Sequence, residues 1–377
     1  MRIYPDAKVA IIHDTVAPHR GAEDALEELA RMLPNADILS GVSFGTDVSD
    51  QLKARSQMAR WIRYLPARKQ HYREHVMFRP LAIRAMDLSE YEIIISNCAG
   101  FAKGAGQADN AIHVCYCHAP TGLAGRLHNE VAVNESGVAN RLLLTPVFAG
   151  LRALDIRLAA QPDYFVATSR AVAAQIKRLY GRNAFVIYPP VDTSRFHISQ
   201  EVEGYLLIVA PLLPQKRIDM VIAACNSASK QLVIVGDGPE RARLERLAGP
   251  TVRFVGRRTM EEMVDLLSRC EALFCPNTED DFDTMPIKAN ASGRPAISLD
   301  TGSAREAILD GETGVLCSEC SRPAIVEAID RCASQYWDPD TLCAHSRSFD
   351  AAAFRAKFLA VLSDVCGENS IASDGLN

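Results

Sequence analysis

The chain has 377 residues, of which 48% are hydrophobic and 23% charged, and its formal net charge is −5. This length predicts two domains, and the balanced composition excludes a disordered chain, a collagen-like fibre and a disulfide-built miniprotein. We expect neither a transmembrane helix nor a secretory signal. The eleven cysteines lie mostly in apolar runs, which predicts buried thiols of a reducing cytoplasm rather than a disulfide framework or a metal site.

Short continuous apolar runs alternate with helix-length segments along the whole chain. Runs of this kind are typical of parallel strands that are covered on both faces. We predict strands at Val9–His13, Ile93–Ser96, Ile112–Tyr116, Tyr164–Ala167, Ala184–Ile187, Tyr205–Ala210, Gln231–Val235, Arg253–Val255, Ala272–Cys275 and Ala296–Ser298. Helices are predicted between them, for example at Ala22–Met32, Ala171–Tyr180, Arg217–Cys225, Met260–Ser268 and Arg322–Ser334. The pattern predicts an α/β protein with two Rossmann-like doubly wound domains facing across a cleft.

The boundary between the two domains is predicted just after Tyr188. A proline pair and a charged polar stretch follow this residue and precede a new strand. We therefore predict a first domain over residues 1–190, a second over residues 191–366, and a disordered polar tail over residues 367–377. Because ligands of such sheets bind at the carboxyl ends of the strands, the loops that follow the strands are the candidate sites.

The charge is unevenly distributed over these two domains. Residues 1–190 carry 22 basic and 18 acidic side chains, whereas the rest of the chain carries 19 and 28. Within the first domain, residues 53–84 hold nine Lys and Arg side chains against one Glu, with aromatic residues between them. This segment predicts an anionic partner and not a general nucleic-acid binder. A solvated helix face is the alternative.

Three loops carry candidate residues that suit an anionic ligand. Gly21 opens a helix whose backbone N–H groups could receive a phosphate, and a tight turn without a ligand fits equally well. His118 lies just past the end of a strand, where a structural and a catalytic histidine are both consistent with the pattern. Lys216 and Arg217 lie in the first turn of a helix, where cations are unfavourable unless a bound anion or carboxylate offsets them. A solvated pair is the alternative for these two.

Two further loops follow strands in the second domain. Gly236 belongs to a Gly-Asp-Gly turn, which by itself favours an ordinary βα turn. Farther along, Asp283 or Thr284 can cap a helix that begins near Met285, so that free backbone N–H groups would face the cleft. Lys288 lies inside that helix. A capped helix with a local ion pair is the alternative.

Together and in this order, the loops resemble those of the GT-B-fold retaining glycosyltransferases of family 4. Within that family the chain looks most similar to bacterial mannosyltransferases of polysaccharide repeat-unit assembly. The resemblance covers nearly the whole chain, in the stretches HDTVAPHRGAEDALEEL, HVCYCHAP, ATSRAVAAQIKRLYG, LLPQKRID, VGDGPE and GSAREAILDGETGVL.

The resemblance implies a metal-independent enzyme without a cofactor. It would transfer a hexose from a nucleotide sugar, GDP-mannose first and a UDP-sugar second, to a saccharide or a polyprenyl-diphosphate-linked saccharide. The implied location is cytoplasmic, with a peripheral contact to the inner face of the plasma membrane.

The resemblance also implies roles for single residues. His118, near the donor sugar, and Asp280, at the first position of the family's E-x7-E signature, match catalytic positions. The donor-binding positions are Gly21, Lys216, Arg217, Gly236, Arg257, Thr284, Met285, Lys288 and Glu306. The acceptor or membrane side is expected in the basic segment, at Arg60, Trp61, Arg63, Arg68, Lys69 and Arg73.

Several positions depart from the family's pattern, most of them at the donor site. Lys288 stands where a second Glu would accept hydrogen bonds from the ribose hydroxyl groups, whereas a lysine can only donate hydrogen bonds. Asp280 is shorter than the usual Glu, and Asp283 replaces a Gly. Pro211 stands where an Arg would help to bind the diphosphate. These departures favour, as the alternative, a noncatalytic relative that binds a saccharide or serves as a companion subunit. A GT-B epimerase fits the motif order less well.

Overall fold

The structure is a computed structural model that describes residues 7–14, 21–40, 52, 55–58, 79–106, 111–120, 149–276 and 281–374. The chain divides into two compact units. The first unit comprises Met1–Pro190 together with Phe354–Asn377, and the second comprises Val191–Ala353. The first unit's initial segment thus ends at the residue where the proline pair places the domain boundary.

A seven-stranded parallel sheet forms the centre of the first unit. Its strands are β1 Val9–His13, β2 Asp37–Ser40, β3 Ser56–Met58, β4 Ile93–Cys98, β5 Ile112–Cys117, β6 Tyr164–Ala167 and β7 Ala184–Val186. They are ordered β3-β2-β1-β4-β5-β6-β7, so the strand order reverses between β1 and β4. In open α/β sheets such a reversal is the position at which ligands bind.

The second unit contains a six-stranded parallel sheet of the same kind. Its strands are β8 Leu206–Val209, β9 Leu232–Val235, β10 Val252–Gly256, β11 Ala272–Cys275, β12 Ala296–Leu299 and β13 Gly314–Cys317. The order β10-β9-β8-β11-β12-β13 places the reversal between β8 and β11. Each unit therefore has one expected ligand position, at the carboxyl ends of the two strands that flank its reversal.

Helices connect the strands and cover the sheets. They are α1 Gly21–Met32, α2 Arg79–Arg84, α3 149–158, α4 Arg170–Tyr180, α5 Ile218–Ser227, α6 Arg241–Leu247, α7 Met260–Arg269, α8 Met285–Ala291, α9 Ala304–Ala307, α10 Arg322–Ala333, α11 Pro339–Arg347 and α12 Ala351–Asp374. Their ends follow the sequence: Thr259 and Glu262 form a capping box at the start of α7, and Gly181 ends α4 with a φ of 70°.

The continuous apolar runs are explained by a sheet that is buried on both faces. In the first unit, Ile11 and Ile95 belong to a cluster with α1 and α12, whereas Ile12 and Ile94 belong to a second cluster with α3 and α4. Successive strand residues point to opposite faces, so each face needs its own apolar residues. All ten predicted strands are confirmed to within two residues at each end.

One of these cores contains a buried ion pair. The Nζ of Lys103 lies 2.5 Å from Oδ1 of Asp155, and neither side chain is more than 3% exposed. Tyr180 donates a hydrogen bond to the other carboxylate oxygen of Asp155. Burial opposes the charge on Lys103, but the neighbouring Cys98 and Asp155 outweigh it and raise its pKa well above the ordinary value.

The C-terminal helix corrects two of the sequence predictions. Phe354 and Phe358 of α12 pack against Tyr116 of β5, with ring centroids 5.6 and 5.9 Å from that of Tyr116. The second domain therefore ends at Ala353 and not at residue 366, because the apolar side of α12 completes the core of the first unit. The predicted disordered tail is wrong up to Asp374, where the helix ends; residues 375–377 lie outside the described part of the chain.

The segments that enter and leave the second unit lie side by side. The backbone N–H of Val191 donates to the carbonyl of Phe349 at 2.9 Å, and the N–H of Ala351 donates to the carbonyl of Val191 at 3.2 Å. The hydroxyl of Thr193 also donates to Asp350. The second unit is thus an insertion whose two ends are fastened together.

Most cysteines are buried and all eleven are unpaired thiols. Burial raises the pKa of Cys270 to about 12, which leaves it protonated and inert. In the described ranges, no three His, Cys, Asp or Glu side chains lie together as a metal site would require. The helices of those ranges include none with the length and apolar character needed to cross a bilayer.

Candidate functional site

Three polar residues meet at the strand reversal of the first unit. His13 is the last residue of β1, Asn97 is the penultimate residue of β4, and His118 directly follows β5. The register pairs His13 with Asn97 across two adjacent strands. The predicted residue His118 therefore lies at the carboxyl edge of the sheet, where a ligand is expected.

Hydrogen bonds through Asn97 connect these residues. The Nε2 of His118 lies 2.6 Å from Oδ1 of Asn97, and Nδ2 of Asn97 donates to the carbonyl of Ala22 at 2.7 Å. The backbone carbonyl of Asn97 is 3.0 Å from Nδ1 of His13. The ring of Tyr116 packs against His118 in an edge-to-face contact, with centroids 5.0 Å apart. The histidine ring is thus held from two sides.

His13 and Glu23 form a buried acid–base pair next to Asn97. His13 is 2% exposed and Glu23 is 8% exposed, with 3.7 Å between Nε2 of the histidine and Oε1 of the glutamate. Burial lowers the pKa of His13, but the neighbouring carboxylate of Glu23, with the charge of Asp14, raises it more, and the net direction is upward. The pair favours an imidazolium that is compensated by the carboxylate.

Asp14 binds the loop that follows β4. Its two carboxylate oxygens accept hydrogen bonds from four successive backbone N–H groups at 2.7–2.8 Å, those of Ala99, Gly100, Phe101 and Ala102. This arrangement uses the donors that a bound anion would otherwise take, so we assign Asp14 a structural role. It also fixes the end of the strand that carries Asn97.

Gly21 is the first residue of α1, as the sequence predicts. Among the described residues, a Cβ added to Gly21 would meet no atom within 4 Å. Residues 15–20 of the same loop lie outside the described residues. A role of Gly21 at a donor diphosphate therefore stays a prediction.

The second unit brings charged side chains together at its own strand reversal. Lys216 lies in a short 3₁₀ turn after β8, and Asp283 follows β11. Burial raises the pKa of Asp283, while its hydrogen bond from the Met285 N–H, at 2.9 Å, and the charges of Lys216 and Lys288 lower it; the net direction is upward. Asp283 therefore caps α8, whereas Thr284 makes no capping bond with its side chain.

A small recess adjoins these charges. It is lined by Asp281, Asp283, Pro286, Ser298, Thr301, Ser303, Ala304 and Ala307. The hydroxyl of Ser303 donates to the carbonyl of Asp281 at 2.7 Å, which ties the loop after β11 to the start of α9. Glu306 is the third residue of α9. The structure thus places the predicted residues Lys216, Lys288 and Glu306 on loops or short helices at one edge of the sheet.

The structure also describes three other predicted donor residues, Arg217, Gly236 and Arg257. Arg217 adopts a left-handed φ of 48° and its Nε lies 3.4 Å from Oδ1 of Asp219. A Cβ at Gly236 would lie 2.0 Å from the carbonyl oxygen of Ala210, and its φ of 134° also requires glycine. The side chain of Arg257 is exposed directly after β10. The residue type of Gly236 is thus explained without a ligand, whereas the donor-binding roles of Arg217 and Arg257 stay predictions.

Several predicted residues lie outside the described part of the chain. They are Asp280 and the acceptor-side residues Arg60, Trp61, Arg63, Arg68, Lys69 and Arg73. Their assignments remain predictions. Sequence reasoning, in turn, missed Asn97 and the pair of His13 with Glu23. The available signal was a polar residue at the end of an apolar strand, in IIISNC and VAIIH.

Two family models match the chain in succession. Residues 19–195 match the model described as Glycosyltransferase Family 4. Residues 203–335 match the model described as Glycosyl transferases group 1. The first match ends five residues after Pro190, and the second lies wholly beyond the proline pair.

Curated relatives match over shorter stretches. A GDP-mannose-dependent alpha-mannosyltransferase of Mycobacterium tuberculosis is 35% identical over 108 residues, which are 29% of this chain and 28% of the relative. A glycogen synthase of the same species is 26% identical over 52% of this chain and 50% of its own length. An uncharacterized glycosyltransferase of Methanocaldococcus jannaschii is 22% identical over 42% and 46%. The matches thus span half or less of each relative.

Solved structures match over nearly the whole chain. HepE of Anabaena, crystallised with UDP, has a TM-score of 0.69 and 17% identity, and the match covers 95% of this chain and all 100% of that one. Sucrose-phosphate synthase of Thermosynechococcus elongatus has a TM-score of 0.73 and 17% identity, with 96% and 100% covered. At this identity the likeness shows a shared fold.

Proposed function

Because the chain has the GT-B fold and carries both glycosyltransferase domains, we propose that it transfers a sugar from a nucleotide-sugar donor to a saccharide acceptor. The observation that carries this proposal is the position of Lys216 at the strand reversal of the second sheet, next to Asp283. A cation at that position is suited to a phosphate-bearing ligand.

The chemistry that we propose is a metal-independent transfer with retention of the anomeric configuration. The bond between the anomeric carbon and the donor phosphate oxygen breaks, and the acceptor oxygen bonds to the same face of that carbon. The proton of the acceptor hydroxyl passes to the departing phosphate oxygen. Lys216 stabilises the negative charge that develops on the leaving diphosphate, which is the largest demand of such a reaction. His118 orients the sugar through a hydrogen bond.

We propose GDP-mannose as the first donor to test and a UDP-sugar as the second. The mycobacterial relative that is 35% identical over its matched stretch is named as GDP-mannose-dependent, whereas HepE was crystallised with UDP. Lys288 offers only hydrogen-bond donors, so it favours contact with a phosphate over contact with ribose hydroxyls.

For the acceptor we propose a saccharide or a polyprenyl-diphosphate-linked saccharide of cell-surface polysaccharide synthesis. Nine basic side chains within residues 53–84 favour an anionic partner, either the lipid diphosphate or the membrane surface itself. This acceptor places the proposed activity in the cytoplasm, peripherally on the inner face of the plasma membrane. The segment lies mostly outside the described residues, so the support here is its charge alone.

A noncatalytic relative is the second candidate. Two observations favour it: Pro211 offers neither a positive charge nor a backbone N–H, and Asp283 already places a carboxylate beside Lys216. Such a protein would bind a saccharide or serve as a companion subunit without turning over a donor.

The test is thermal stabilisation of the purified protein by GDP-, UDP-, dTDP-, ADP- and CMP-linked sugars. A ligand at about one hundred times its dissociation constant adds about 2.7 kcal/mol to the free energy of unfolding. We expect one nucleotide class to raise the melting temperature and Lys216→Ala to abolish this shift. Lys177→Ala, at an exposed lysine of α4, is the control and should keep it.

The two candidates differ in whether a bound donor is turned over. Release of nucleoside diphosphate in the presence of a lipid-linked saccharide supports the transferase. A melting shift without any release over many hours favours the noncatalytic relative, and a flat panel at millimolar concentration contradicts an ordinary nucleotide-sugar donor.

A further inference from the structure

The hydrogen bonds of Asn97 determine which nitrogen of His118 carries the proton. The carbonyl of Ala22 can only accept, so the Asn97 atom 2.7 Å from it is the amide nitrogen. The Asn97 oxygen therefore faces His118, with 2.6 Å between Oδ1 and Nε2. Since an amide oxygen can only accept, Nε2 of His118 must be the donor. The neutral ring then has its acceptor lone pair on Nδ1.

We propose that Asn97 is a positioning residue that holds His118 in the Nε2–H tautomer, so that Nδ1 is the acceptor of the ring. The inference rests on the proposed function in one respect, that His118 contacts the substrate. Asn97 itself acts through the histidine and not on the reacting atoms.

The surroundings of Asn97 explain why its orientation is fixed. Its side chain joins the first turn of α1 to His118, and its backbone carbonyl accepts from Nδ1 of His13. Asn97 is fully buried, as are its neighbours in β4, and it pairs in register with His13 on one side and Tyr116 on the other. Rotating the amide would set its nitrogen against Nε2–H and its oxygen against the Ala22 carbonyl, which loses both hydrogen bonds of a buried side chain.

The buried pair of His13 and Glu23 helps to fix the backbone of Asn97. His13 donates through Nδ1 to the carbonyl of Asn97, because that carbonyl can only accept. Glu23 lies in the first turn of α1, next to Ala22. Its carboxylate faces Nε2 of the His13 ring and compensates the positive charge of that ring. The start of α1, both histidines and the end of β4 are thus joined in one hydrogen-bond network.

Nitrogen-15 NMR of histidine-labelled protein tests the proposal directly. The chain has nine histidines, and the resonances of His118 are assigned by their loss in His118→Gln. At a pH where the ring is neutral, we expect a protonated Nε2 and an unprotonated Nδ1 for His118. In Asn97→Ala we expect a mixture of tautomers and a fall in kcat of about 10²-fold with little change in KM, because the ring is no longer oriented.

Two further variants complete the test. Asn97→Asp keeps an acceptor for Nε2–H, so the tautomer should persist, and the added negative charge should raise the pH at which His118 titrates. Asn226→Ala is the matched control: Asn226 also bonds through both amide atoms, to Leu247 and Gly249, but in the second unit. It should leave the His118 resonances and kcat unchanged.

The outcomes separate this inference from the proposed function. A protonated Nδ1 in the wild type overturns the inference even if transfer is observed. The inference also fails if Asn97→Ala keeps the Nε2–H signature, or if Asn97→Ala does not fold and the titration of His118 is unchanged in Asn97→Asp. If no donor is turned over, the proposed function fails, while the wild-type tautomer and its response to both variants still decide the role of Asn97.

Discussion

Acid should destabilise the first unit through His113, a histidine that is buried in the neutral form. His113 lies in β5 and is 4% exposed, and its Nε2 is 2.9 Å from the hydroxyl of Ser96, which can donate to a neutral ring. Burial lowers the pKa of His113 to about 3. In the unfolded chain the pKa of this histidine is the ordinary value of about 6.5. Below that pH the unfolded chain therefore binds a proton that the folded chain does not bind.

The sign and size of the effect follow from this difference. The stabilising contribution of His113 is fully present above about pH 6.5 and is lost as the pH falls toward its folded pKa, at about 1.36 kcal/mol per pH unit. Between pH 7 and pH 5 the free energy of unfolding should thus fall by about 2 kcal/mol. His13 does not add to this loss, since its raised pKa gives a contribution that is fully present below the unfolded value.

Urea denaturation at several pH values between 7 and 5 measures this loss, with pulsed hydrogen exchange of β5 peptides reporting the first unit. In His113→Gln, whose amide does not titrate but can still bond to Ser96, the fall should be absent. His197→Gln changes an exposed histidine of the second unit and should keep it. A wild-type stability that is constant over this range, or the same fall in His113→Gln, would refute the reasoning.

Three further predictions concern the stability of the two units. Glu23→Gln leaves the imidazolium of His13 without its carboxylate and should cost the first unit about 3–5 kcal/mol in urea denaturation; a cost below about 1 kcal/mol would mean that the ring is neutral. Gly236→Ala, with its Cβ 2.0 Å from a carbonyl oxygen, should lower the stability of the second unit by more than about 3 kcal/mol. Gly150→Ala, whose added Cβ meets no atom of the described residues within 4 Å, should be neutral or stabilising. Lys103→Met should lower the free energy of unfolding by about 3–5 kcal/mol because Asp155 loses its buried partner. In a double-mutant cycle, adding Asp155→Leu should recover most of that loss. Additive losses for the two substitutions would contradict the coupling between Lys103 and Asp155.

The sequence predicted the strands well because both sheets are covered on both faces. A strand such as Ala272–Cys275 must then be apolar at every position, and the run is visible without any knowledge of its neighbours. Three strands were missed, and β13, Gly-Val-Leu-Cys, is one that does have this property. The other two, β2 and β3, lack it. Asp37–Ser40 at β2 contains only two apolar residues, and its burial alternates along the strand. β3, at the sheet edge, reads Ser-Gln-Met.

The candidate site was predictable only at the level of loops. His118 directly follows an apolar run and Lys216 lies in the short loop after another, so their place beyond the strand ends could be inferred. The role of Asn97 depends on the register of β1 against β4, over about eighty residues of intervening chain, and no local pattern specifies that register. Gly236 shows the opposite limit: its turn was predicted, but only the approach of the Ala210 carbonyl explains why glycine stands there.

The position of α12 has a consequence for biosynthesis. The second unit needs no residue beyond Ala353, and the segments at its two ends are hydrogen-bonded to each other. Most of the first unit is synthesised before the second, but its core lacks Phe354 and Phe358 over Tyr116 until α12 is made. Although N-terminal domains generally fold first, the core of this one is completed only by residues that follow the second unit. A chain truncated before Phe354 would contain the whole second unit but lack the helix that covers Tyr116 in the first.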